Sequence, residues 1–169
     1  MLESGSYVSV RNGRASDAAQ LASVFRESWL LAYQGVIPPL HLESMVRRRG
    51  VEWWKTAMRA GDMTLVIEAG GKVVGYASCG QARSRGPYEG EIYELYVDPV
   101  HQGLGFGERL FEGARHALDQ KNLDGLLVWA LSENEAACHF YWRRGGRPVA
   151  RTFDRIGAKK LEKIAFAWD

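Results

Sequence analysis

Apolar and polar residues alternate along Tyr7-Val8-Ser9-Val10-Arg11, and a period of two predicts a first strand there. Past Gly13 the period lengthens. Ala19, Leu21, Ala22, Phe25, Trp29 and Leu30 approximate helical spacing, and Ser16 or Asp17 is placed to cap that helix by accepting from its free N–H groups. Two prolines in Gly35-Val36-Ile37-Pro38-Pro39-Leu40 end the pattern, because proline cannot continue a helix. A second helical stretch covers residues 40–60 with a break near Gly50, and Gly61-Asp62 reads as a turn. Two β-rich runs then flank Gly70-Gly71, a hairpin signature. Residues 83–90 are polar, contain Gly86-Pro87 and read as a loop. Residues 91–97 form the next strand, followed by a glycine-rich segment and an amphipathic helix to about residue 121. Leu126-Leu127-Val128-Trp129-Ala130-Leu131 is apolar on both faces, as for an interior strand covered on both sides. A short helix over residues 133–144 ends at Gly145-Gly146, and two more strands follow, at about residues 148–154 and 160–168. The pattern predicts one mixed α/β domain over residues 1–169, with a sheet of about seven strands.

Composition narrows the function classes. The 22 Lys and Arg against 20 Asp and Glu leave a net charge of +2, too small to point to a nucleic-acid partner. The basic run Arg47-Arg48-Arg49, with Lys55 nearby, reads as a solvated helix face. Cys79 and Cys138 form no C-x-x-C pair and read as buried reduced thiols of a cytoplasmic protein. No apolar run is long enough to span a membrane, and there is no signal-peptide pattern. His41, His101 and His139 lack metal-ligand spacing, so no metal is expected.

The most informative chemistry lies in Gln102-Gly103-Leu104-Gly105-Phe106-Gly107. A helix N-terminus carries N–H groups without intrahelical partners and the positive end of the helix dipole. Glycines ahead of it adopt unusual backbone angles and remove side chains that would block a ligand. The combination suits an anion, phosphate above all. Neither common phosphate motif is satisfied: Glu108 stands where a dinucleotide fingerprint needs its third glycine, and no Gly-Lys-Ser/Thr triplet follows.

The segment does fit Q/R-x-x-G-x-G/A, and in this it resembles the pyrophosphate loop of the GNAT acyl-CoA N-acyltransferase superfamily. Downstream, Asn134, Ala137, Phe140, Tyr141 and Gly145 are similar to that family's N-x-x-A-x-x-F-Y-x-x-x-G segment. The order of elements matches over nearly the whole chain. The resemblance implies a mostly antiparallel sheet with splayed central strands four and five, flanked by about four helices. One departure stands out: Gly146 replaces the usual large apolar residue, which is expected to weaken packing at the helix end.

For function, the resemblance implies an acetyl-CoA-dependent N-acetyltransferase, in which a primary amine attacks the thioester directly. The alternatives are a CoA-binding regulatory module without catalysis and a plain interaction domain. Backbone amides of Gln102, Gly103, Leu104, Gly105, Phe106 and Gly107, with Glu108 beside them, would hold the pyrophosphate. Leu95, Tyr96 and Val97 would face the pantetheine arm, and Asn134, Ala137 and Phe140 would flank it. Tyr141 would protonate the leaving thiolate, since such a departure is helped by a donor. Glu91 and Glu94 are the candidate bases for the amine; residues three apart on a strand face opposite ways unless a bulge intervenes, and Glu91 is favoured on the family position. Trp29 and Tyr33, with Trp53 and Trp54 contributing, would wall the acceptor pocket. The acceptor is a small-molecule or protein amine, no nucleic acid or membrane partner is expected, and the resemblance allows a homodimer.

Overall fold

A computed structural model describes residues 7–60 and 63–169; the expected turn at Gly61-Asp62 lies outside the described residues. In chain order the elements are β1 (Val8–Asn12), α1 (Ala18–Tyr33), α2 (Pro39–Arg48), α3 (Val51–Arg59), β2 (Met63–Ala69), β3 (Lys72–Gln81), β4 (Gly90–Val97), α4 (Phe106–Gln120), β5 (Leu126–Leu131), α5 (Glu135–Arg143), β6 (Arg147–Ile156) and β7 (Lys159–Trp168). The break at Gly50 is complete, so the second helical stretch is two helices and the described residues hold five α-helices rather than four. Asp17 does not cap α1. Its carboxylate turns back to accept from the Arg14 N–H at 2.9 Å and pairs with Arg11, closing a 3-10 turn ahead of the helix.

The strands form one sheet in the order β1-β2-β3-β4-β5-β7-β6. Every pairing is antiparallel except β4–β5, which is parallel and short: only Gly90 with Leu126 and Glu91 with Leu127 pair before the two strands separate. One face of the sheet packs under α4 and α5 through Ile67, Ile92, Leu110, Phe111, Val128 and Phe166. The other packs under α1, α2 and α3 through Leu21, Phe25, Trp54, Val66 and Tyr76. β5 is an interior strand between β4 and β7, as its two apolar faces predict.

Two details reshape the site. Between β3 and β4, Ser78 pairs with Glu94 and Cys79 with Ile92, so Tyr93 is an extra residue in a β-bulge. Gly80 pairs with Glu91, and Cys79 and Ile92 share the α4 face. The bulge therefore turns Glu91 and Glu94 to the same face, opposite to Ile92, where simple alternation separates them. The second detail corrects the expectation at Gly146. A Cβ there would lie 2.6 Å from Cζ2 of Trp168 and 2.9 Å from the Tyr141 carbonyl. The Trp168 ring fills the space a large side chain would take, and its indole N–H donates to the Arg144 carbonyl at 3.0 Å. Packing at the end of α5 is relocated to the last strand, not lost.

Candidate active site

The separation of β4 from β5 opens a cavity of about 640 Å³. Leu95, Tyr96 and Val97 line one side; Val128, Trp129 and Ala130 line the other. Its far end is the turn into α4. Gly103 and Gly105 there have φ of +79° and +80°, a region L side chains rarely adopt, which explains glycine at both positions. Among the described residues, no backbone hydrogen bond uses the N–H groups of residues 103–107. They are the orphan donors of a helix start, gathered at one end of a cleft. Gly103, Gly105, Phe106 and Gly107 stand on the cavity wall with Gln102 and Glu108, while the Leu104 side chain is exposed and off it. The Gln102 side chain folds back, donating to the Val97 carbonyl at 3.1 Å, so the loop's donors toward the cleft are its amides.

The two motifs meet in space. A Cβ on Gly107 would come within 3.2 Å of the Phe140 ring, a tight contact that the ring would have to give way to, so glycine eases the close approach of α4 to α5. Arg144, which sequence reasoning passed over, joins them again: its guanidinium reaches Glu108 at 3.2 Å and lies 4.6 Å from the Phe140 ring centroid. The signal was present in Arg143-Arg144 beside the matched glycine, but nothing local says which arginine turns inward. Asn134 caps α5, its side-chain oxygen accepting from the Ala137 N–H at 3.2 Å. Asn134, Ala137, Phe140 and Tyr141 all line the cleft. Tyr141 is buried among Phe111, Phe140, Phe166 and Trp168, and burial pushes its phenol well above the usual range, with Tyr33 and Cys138 adding to the shift.

A second cavity, about 880 Å³, lies on the α1–α3 side and shares Tyr93, Glu94 and Tyr96 with the first. Trp29, Trp53 and Trp54 wall it, whereas Tyr33 faces the first cavity and shares a 2.8 Å hydrogen bond with the Tyr96 hydroxyl. Burial raises both phenols, against the Tyr96 and Asn134 hydrogen bonds in the case of Tyr33.

The two acids sit differently. Glu94 lines both cavities and is gripped by Arg49 through two bonds of 2.7 and 2.8 Å. Arg49 is thus not part of a solvated face. Its guanidinium lies 4.1 Å from the Phe25 ring centroid and 4.0 Å from that of Trp53, and although burial works against its charge, the Glu94 pair outweighs this and holds its pKa above the usual value. Arg47 and Arg48 are exposed, as the sequence predicts. Glu91 is buried and on the wall of neither cavity; it accepts from the Arg83 N–H at 3.0 Å. Burial lifts its carboxyl above the usual range, offset in part by that N–H and by the Arg83 and Lys163 charges.

Cys79 and Cys138 are unpaired; Cys79 is buried, Cys138 only partly. Among the described residues no cluster of His, Cys, Asp or Glu could hold a metal, and no helix is long and apolar enough to cross a membrane.

Comparison with known proteins agrees with this architecture. The uncharacterized N-acetyltransferase YuaI of Bacillus subtilis is 28% identical over 162 residues, covering 95% of this chain and 92% of that protein. The L-amino acid N-acyltransferase MnaT of Escherichia coli is 27% identical over 153 residues, covering 90% and 86%. The PaiA N-acetyltransferase of Thermoplasma acidophilum, solved in complex with coenzyme A, superposes with a TM-score of 0.74 at 18% identity, covering 94% of this chain and 98% of that one. The profile of the acetyltransferase (GNAT) family matches residues 21–145, from within α1 to the glycine that ends α5, and the chain belongs to that family.

Proposed function

We propose that the protein transfers the acetyl group of acetyl-CoA to a primary amine by direct attack, with both reactants bound together. The cleft carries the reading: two parallel strands pair for two residues, then open, and the opening ends on unpaired N–H groups. An extended arm needs a free strand edge, a pyrophosphate needs clustered donors, and one cavity offers both. The coenzyme A bound to PaiA supports the same assignment. Two unpaired cysteines support a cytoplasmic setting.

Acetyl-CoA supplies an activated acetyl thioester. The residues do the rest. The amides of residues 103–107 anchor the phosphates, the Leu95–Val97 strand edge aligns the arm, and the cleft directs the thioester toward Tyr141 and the shared wall with the second cavity. An ammonium must lose one proton before attack. Glu91 is the base by its family position; because it lines neither cavity, the proton reaches it by way of water, while the Glu94 charge is already paired with Arg49. Tyr141 is kept protonated by burial and gives its proton to the departing thiolate; the second N–H proton, released on acylation, replaces it.

Two measurements test this. Acetyl-CoA at a hundredfold excess over its dissociation constant should stabilise the protein by about 2.7 kcal/mol, roughly 5–11 °C in Tm for a chain this size. Tyr141→Phe should bind acetyl-CoA nearly normally and lose about 10²–10⁴-fold in turnover, the usual worth of a general acid. Turnover within about threefold of wild type would make Tyr141 a packing residue.

A further inference from the structure

The second cavity has an unbalanced charge. Arg49, Arg83 and Lys121 line it against one acid, Glu94. Glu94 is consumed: both oxygens are held by Arg49, and the pair is pinned between Phe25, Trp53 and Trp54. Glu91, which the bulge brings to this face, is off the wall. That leaves Arg83 and Lys121, neither of which joins any ion pair among the described residues.

Arg83 is also held in place. Its guanidinium stacks 3.7 Å from the Tyr93 ring centroid, and the Tyr93 hydroxyl donates to the Gln81 carbonyl. Tyr93 is the bulge residue and lines both cavities, so the stacked cation stands where the two meet. A stacked guanidinium keeps its in-plane N–H fork free, and that fork matches the two oxygens of a carboxylate. A second cation on the acceptor finds less: Trp53, Trp54 and Tyr93 already carry the Arg49 and Arg83 guanidinium groups, and no free carboxylate remains on the wall to pair with it.

We propose that Arg83 is the acceptor-specificity residue of this site: it binds an anionic group, a carboxylate, carried close to the reacting amine. The preferred acceptors are then amino acids whose apolar or aromatic side chain lies on the tryptophan wall, and amines bearing a second cation are rejected. This rests on the second cavity being the acceptor side of an acetyltransferase.

Matched acceptors test it, with released CoA thiol as the readout: phenylalanine against phenethylamine, methionine against 3-(methylthio)propylamine, and spermidine as the polycation. The carboxylated member of each pair should have kcat/KM higher by about ten- to a hundredfold, the worth of one charged hydrogen bond. The phosphonate analogue of phenylalanine separates a requirement for any anion from one for a carboxylate. Arg83→Gln should lose that advantage through KM, and Arg83→Lys should recover part of it, since a point charge remains without the fork. The proposal is overturned if phenethylamine or spermidine matches phenylalanine, if Arg83→Gln leaves the carboxylate advantage intact, or if no carboxylated amine turns over while acetyl-CoA still binds. Absence of any thermal shift with acetyl-CoA would instead overturn the reading of the first cavity.

Discussion

Arg49 gives the sharpest test of the structure, because two neighbours of the same type serve as controls. Its side chain is 19% exposed and that of Glu94 is 17% exposed. Exposed ion pairs contribute ~0.2–1 kcal/mol, whereas breaking a fully buried pair costs ~3–5. Four-fifths burial with a bidentate geometry places this pair at about 2–3 kcal/mol. The contacts at 4.1 Å to Phe25 and 4.0 Å to Trp53 add about 0.5 kcal/mol or slightly more each at a partly exposed site. Arg49→Met keeps an unbranched apolar stem, so it should remove charge with little change in volume and cost about 3–4 kcal/mol, or roughly 6–16 °C in Tm. Arg47→Met and Arg48→Met, on exposed positions, should stay within about 0.5 kcal/mol of wild type. Urea unfolding of the three variants measures the difference directly. A double-mutant cycle with Glu94→Gln should return a coupling of about 1–3 kcal/mol. If Arg49→Met falls within about 1 kcal/mol of the two controls, a difference too small for a partly buried bidentate pair, the ion pair inside the aromatic box is not what holds α2 to the sheet.

Other outcomes follow from the same geometry. Gly146→Ala should destabilise by about 1–3 kcal/mol, because its Cβ must displace the Trp168 ring or the Tyr141 carbonyl; a chemical denaturation curve unchanged from wild type would contradict the packing. Gly105→Val should fold, since no protein atom lies within 4 Å of its Cβ, yet a β-branched residue resists φ of +80°, so the loop shifts and acetyl-CoA affinity by calorimetry drops about tenfold or more. Glu91 has a carboxyl pKa raised by burial, so the folded state favours its neutral form. Its favourable contribution is complete below the unfolded pKa and is lost as pH rises through the folded value. Glu91→Gln, which mimics the neutral form and can still accept from the Arg83 N–H, should therefore raise Tm at pH 7 and not at pH 4; an equal change at both would remove the linkage.

The local pattern carried most of the elements and the chemistry of the loop. Alternation along β1, helical spacing in α1 and α4, and glycines at 103 and 105 depend on neighbours within a few residues, through backbone angles and side-chain periodicity. The anion site is legible for the same reason: orphan N–H groups are a property of any helix start, and glycine makes them reachable. Asn134 and Tyr141 were named by the pattern they share with a family, although its spacing alone does not show that α5 meets the loop.

What the sequence by itself determined is therefore the set of elements, the α/β class and the loop of free donors ahead of α4. Only the tertiary structure decided which charges are free and which are spent. Arg49 reads as one of three equal arginines until Glu94, 45 residues away, closes on it from β4. Glu91 and Glu94 share a face only because β3 pairs around Tyr93 with a bulge, and a bulge is a property of two strands, not one. Gly146 looks like a packing defect until Trp168 arrives from the last strand to fill it. Burial, ion pairing and strand register all depend on partners distant in sequence, so they exist only once the chain has closed on itself.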